Sequence, residues 1–163
     1  MPPALSTGGQ AEWPAVRVSA KADYAVRAMI ELAAGPEEGA VKGELIAEAQ
    51  GIPLHFLENI LGELRHQGLV HSRRGADGGY WLAKPASEIT VAEVIRSVEG
   101  PLASVRGELP QDIAYEGTAE PLQRVWIALR ANMREVLESV TIANLVAGQL
   151  PEPVRRIVSD REG

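Results

Sequence analysis

The chain has 163 residues, a formal net charge of −6 and no cysteine; 45% of it is hydrophobic, 23% charged and 4% aromatic. That length suits one domain with a core, or a small domain plus an extended pairing element, and the composition fits a mostly helical protein. Disulfides and thiolate ligands are excluded with the cysteines, no apolar run reaches the roughly 18 residues of a membrane span, and the acidic balance excludes indiscriminate binding to phosphate polymers.

Residues 1–15 begin MPPALSTGGQ and have neither a basic nor an apolar leader region, so they read as a flexible tail rather than a secretion signal. Ser19 is placed to cap a first helix over AKADYAVRAMIELAAG, in which Ala22, Ala25, Val26, Met29, Ile30 and Ala33 recur at helical spacing until Gly35 and Pro36. KGELIAEAQG reads as a short second helix closing at Gly51. IPLHFLENILGELRHQG reads as a third, with Pro53 in its first turn and Leu54, Leu57, Leu61 and Leu64 on one side. A helix-turn-helix needs a small residue where its helices cross, a glycine in the turn and an inward apolar set. Ala47, then Gly51, then Ile52, Leu57 and Ile60 supply these in order, although an ordinary helical hairpin would also accept them. The next segment favours the helix-turn-helix. LVHSR and GYWLA are strand-compatible and joined across Asp77, Gly78 and Gly79, so they form a hairpin that must lean on a neighbour, as the wing of a winged helix does. Arg73 and Arg74 then stand at the wing tip, where a cationic side chain can enter a narrow minor groove.

Opposite the leucines of the third helix, His55, Glu58, Asn59 and Gly62 share one stripe. Asn pairs with adenine and Glu accepts from cytosine N4, so the stripe suits base edges in a major groove, and it equally suits a plain solvated face. Nearby basic residues are few: Arg17, Lys21, Arg65, Arg73, Arg74 and Lys84, offset by Glu58, Glu63 and Asp77. Two chains are therefore needed to collect enough phosphate contacts. ITVAEVIRSVEG reads as a helix capped by Thr90, with Glu93 in capping-box position. After a loop over 101–120, PLQRVWIALRANMREVLESVTIANLVAG reads as one helix of about 25 residues, about 37 Å long. Its stripe of Leu122, Val125, Trp126, Leu129, Met133, Val136, Leu137 and Val140 is the expected dimer interface.

Three segments together, VRVSAKADYAVRAMIELA, IPLHFLENILGELRHQGLV and SRRGADGGYWLAKPASEITVAEVIRSVEG, resemble the Rrf-two family of bacterial transcriptional regulators over about residues 16–147. The resemblance implies a mostly α fold with a small β-hairpin: a winged helix-turn-helix over 16–100, the loop 101–120, a long dimerisation helix over 121–147 and a tail over 148–163. It implies a homodimeric cytoplasmic repressor that binds double-stranded DNA at an imperfect palindrome. Arg17 and Lys21 match backbone-contacting positions, Phe56 and Glu58 match recognition-helix contacts, and Arg74 matches the minor-groove arginine. With Pro53, His55, Asn59 and Arg73 these make up the expected DNA-binding set. Many members hold an iron-sulfur cluster on three cysteines in the loop, and this chain has none to offer. Neither a cofactor nor a metal is therefore expected; Glu108, Asp112, Glu116 and Glu120 read as solvated carboxylates. Being cysteine-free, the chain looks most like the branch of the family that acts in sulfur and cysteine metabolism, and by analogy that resemblance leaves room for a small-molecule or protein effector. The competing reading is a winged-helix dimer used as a protein-interaction module, motivated by the acidic charge. No catalytic constellation is apparent.

Overall fold

The computed structural model describes residues 18–163. The expected tail over 1–15 and Arg17 lie outside the described residues.

Helix α1 spans Ala20–Ala34, α2 Gly43–Gln50 and α3 Leu54–His66. Ser19 caps α1 as its position promised, its hydroxyl accepting from the Ala22 amide at 3.0 Å. The turn between α2 and α3 closes on Gly51, whose φ of 62° is the left-handed conformation that glycine enters at little cost. Arg27 of α1 braces this turn, its Nη1 donating to the Gln50 carbonyl at 2.7 Å. Pro53 stands one place before the first helical residue of α3, at the cap rather than in the first turn. The buried side of α3 is Leu57, Ile60, Leu61 and Leu64, each at 2% exposure or less. Leu54, expected among them, is 36% exposed because it precedes the turn that faces the core. Each such burial is worth about 1.5–3 kcal/mol. These residues meet Met29 and Leu32 of α1, Ile46 of α2 and Val70 and Ile89 beyond α3 in one continuous core.

Strands β1 (Val70–Arg73) and β2 (Gly79–Leu82) pair antiparallel with Val70 opposite Leu82 and Arg73 opposite Gly79. The hairpin leans on the chain ahead of α2, where Val41 and Tyr80 exchange two backbone hydrogen bonds of 2.8 Å. Gly78 is required where it stands, since a Cβ there would run into the Arg73 carbonyl. Gly79 has φ 144° and approaches the Val41 carbonyl, so it too excludes a side chain.

Helix α4 covers Val91–Glu99, and the Thr90 hydroxyl accepts from the Glu93 amide at 3.1 Å. Only half of the expected capping box forms: the Glu93 carboxylate takes Lys84 Nζ at 2.7 Å instead of reaching back to the backbone. The loop 101–120 contains short 3-10 turns at Pro110–Asp112 and Gly117–Ala119. The single helix of about 25 residues does not form. Instead α5 runs over Leu122–Ser139, 18 residues and about 27 Å, and stops. At Val140 and Thr141 the chain is extended, because its backbone bonds across to the segment before α4: Val91 N donates to Val140 O and Ile142 N to Ile89 O, both at 2.9 Å. Thr141 then caps α6 (Ile142–Ala147) in a capping box with Asn144. Ile142 is fully buried in the main core, so α6 packs with the winged helix and does not continue α5. The expected tail over 148–163 is also corrected, since α7 spans Glu152–Glu162 and rests against α5.

Candidate nucleic-acid interface

The outward face of α3 carries His55, Phe56, Glu58 and Asn59, all exposed; Phe56 is 61% exposed, unusual for the only phenylalanine of the chain. Gly62, one turn on, leaves open space where a Cβ would stand. Between this face and the start of α1 lies an open groove of about 890 Å³, lined by Lys21, Tyr24, Phe56, Glu58, Asn59 and Glu63 among others. On its other side α3 shares a recess of about 330 Å³ with the wing, so that Glu58 and Arg65 stand over the same space as Arg73 and Arg74. The outward face of α3 and the wing thus present one continuous surface.

The basic side chains on that surface divide by what holds them. Arg65 Nη1 donates to Ser72 Oγ at 3.1 Å, tying α3 to β1, and Lys42 Nζ donates to the Gly75 carbonyl at 2.9 Å, tying the wing loop to the start of α2. Arg73 Nη2 donates to the Asp77 carbonyl at 3.0 Å and its guanidinium lies 5.9 Å from the centre of the Trp81 ring. Three cations therefore shape the hairpin, whereas Arg74, exposed in the loop, makes no ion pair among the described residues. Lys21 is paired with Glu63. Lys42 and Glu63 were not in the expected set, and no spacing along the chain marks them, because each acts on a partner from another element.

The expected dimer stripe resolves into two faces. Trp126 and Leu137 serve their own protomer: Trp126 Nε1 donates to Tyr115 Oη at 3.1 Å, and Leu137 packs on the cluster of Ala22, Ala92, Ile95 and Leu102. Val140 lies beyond the helix and is buried in the same chain. Leu122, Val125, Leu129, Met133 and Val136 form the adjacent stripe, and no residue of α5 is buried. On the inner side Gln123 donates to the carbonyls of Pro110 and Gln111, and Arg130 to that of Leu102 at 3.1 Å, so the loop 101–120 is fastened along α5. Arg134 and Arg96 both donate to Glu138, and these two guanidiniums, Arg134 foremost, hold its carboxyl below the ordinary value.

Residues 18–148 match the family model described as "Rrf2: Iron-dependent Transcriptional regulator". The chain is 50% identical over 145 residues to Rv1287 of Mycobacterium tuberculosis, described as a putative HTH-type transcriptional regulator, covering 89% of this chain and 90% of that one. It is 38% identical over 133 residues to the HTH-type transcriptional regulator CymR of Bacillus subtilis, covering 81% and 91%. The solved structure of B. subtilis CymR, the global cysteine regulator of that organism, superposes with a TM-score of 0.69 over 82% of this chain and 98% of the other at 36% identity. The structure of T. potens IscR gives a TM-score of 0.66 at 34% identity, covering 83% and 93%.

The iron in the family description does not fit the residues present. The chain has no cysteine, and among the described residues no three His, Asp or Glu side chains gather as ligands. The loop that faces α5 is closed by Leu102, Pro110 and Ile113, all buried, which offer iron no donor atom.

Proposed function

Since the chain belongs to the Rrf2 family of transcriptional regulators, a DNA-binding family with a winged helix-turn-helix, we propose that it works as a cytoplasmic homodimeric repressor on an imperfect palindrome, without an iron-sulfur cluster, in sulfur or cysteine metabolism. The observation that carries the DNA reading is the shared surface of α3 and wing, with Glu58 over the same recess as Arg73 and Arg74. Glu58 and Asn59 face base edges, Phe56 offers an apolar edge to a thymine methyl, and Arg74 enters the minor groove beside them. Dimerisation is supported by α5, on whose stripe Leu122 and Val125 are exposed and Leu129, Met133 and Val136 are only partly covered. A two-fold pair along α5 also doubles the phosphate contacts of a chain with net charge −6. The sulfur assignment is supported by likeness to CymR, and a small molecule or protein effector would act at the loop 101–120, the joint between α5 and the winged helix.

Genome-wide mapping of bound sites, followed by titration of the purified chain on the recovered fragments, tests the proposal. Saturable binding of two chains per palindromic site upstream of sulfur genes is expected. Absence of any bound fragment would favour the protein-interaction reading instead.

A further inference from the structure

Lys21 stands in the first turn of α1 beside the outward face of α3, where its ammonium would meet a DNA phosphate, but a carboxylate already holds it. Its Nζ donates to Glu63 Oε1 at 3.0 Å and lies 2.9 Å from Oε2. The two residues are 42 apart in sequence, and their side chains are 42% and 45% exposed, so solvent and a phosphate oxygen both reach the pair. Glu63 and Glu58 line the same groove as Lys21, and among the ionised side chains there the two carboxylates outnumber the ammonium.

We infer that Glu63 is a specificity-determining residue that takes the place of phosphate on Lys21, weakening sequence-independent attraction to duplex DNA. The inference rests on the DNA-binding reading. Sequence-independent affinity comes almost wholly from phosphate neutralisation, and each phosphate contact adds about 0.9 to the salt slope. A carboxylate bound to the ammonium by both oxygens therefore removes one such contact per protomer, or makes the phosphate displace it. Base-edge contacts are untouched, so a chain seated on its proper site keeps what distinguishes that site. An exposed ion pair is weak, which makes the competition adjustable rather than a block. Glu63 lies on the recognition helix itself, so seating that helix in a groove also moves the carboxylate against the backbone that competes with it.

The test uses the full chain and a labelled duplex of random sequence, titrated at several salt concentrations. Glu63→Gln and Glu63→Ala should each bind about ten-fold tighter than the wild type near physiological salt, with a slope steeper by about two counterions per pair of protomers. In a Lys21→Gln background the Glu63→Gln gain should vanish. Wild-type binding with both Glu63 variants unchanged overturns the inference alone, and so does an undiminished gain without Lys21, which would make Glu63 a mere contributor to net charge. Failure of every protein to bind any duplex even at low salt overturns the DNA-binding reading and the inference with it.

Discussion

Arg73 and Arg74 are neighbours in sequence and differ in what holds them. Arg73 is spent on the hairpin, bonded to the Asp77 carbonyl and set against Trp81, whereas Arg74 projects from the loop that Lys42 fastens from below. Flexibility lost before binding need not be lost during it, so a cation on a pinned loop reaches a groove at lower entropic cost. On the proposed function, Arg74→Ala should therefore weaken DNA binding about ten-fold or more, about 1.4 kcal/mol, while sedimentation of the protein stays unchanged. An electrophoretic titration giving the wild-type midpoint would remove Arg74 from the interface. The polar stripe of α3 was legible in the sequence because a helix with one leucine face has to expose the other. The pairing of Lys21 with Glu63 was not, because only the crossing of α1 and α3 brings them together.

At the scale of the elements, the break between α5 and α6 is the main departure from expectation. Periodicity carried the apolar pattern through residues 121–147 as though one helix ran the whole way. Two threonines decide otherwise: Thr90 and Thr141 face each other across an extended bridge, each capping the helix that begins after it. Thr141 with Asn144 three residues on was the local sign of a helix start, obscured because Asn replaces the usual Glu or Gln at that position. Thr141→Ala should lower stability by about 1 kcal/mol in urea unfolding; an unchanged midpoint would mean that the bridge alone sets the break. Glu138 fastens α5 to α4 through Arg96, while Arg134, one turn back on α5, bonds the same carboxylate. Its folded pKa is depressed, so its contribution is present above the ordinary carboxylate value and is lost as pH falls through the folded one. With the side chain 37% exposed, solvent screening keeps the effect below about 1 kcal/mol. Glu138→Gln should thus destabilise the protein at pH 7, and the deficit should shrink on acidification toward pH 3. Unfolding curves with a constant difference across that range would contradict the linkage.

Over the whole molecule, the winged helix completes its own core while α5 does not. Main-core residues from α1, α2, α3, the wing, α4 and α6 close on one another, whereas α5 is held from outside that core, by the loop 101–120, the Leu137 cluster, the Arg96–Glu138 pair and α7, and buries no residue of its own. The stripe left over is where a second copy would pack. Val125 is 55% exposed, so Val125→Glu should leave the fold intact and yet divide the proposed dimer, with affinity for DNA falling because phosphate contacts are halved. Analytical ultracentrifugation and thermal melting check the two halves of that statement; a Val125→Glu protein that stays dimeric would move the interface elsewhere.

By itself the sequence determined the elements whose evidence is local: the Ser19 cap, the Gly51 turn, the amphipathic α3, the glycines of the wing, and the want of any thiolate for iron. Tertiary structure decided the end of α5, the return of α6 to the core, and the division of one apolar stripe into a side facing its own loop and a side only partly covered. Period and capping act within a few residues and can be read there, whereas backbone pairing between 89–91 and 140–142, and ion pairs such as Lys21 with Glu63, exist only once distant segments have been brought into contact.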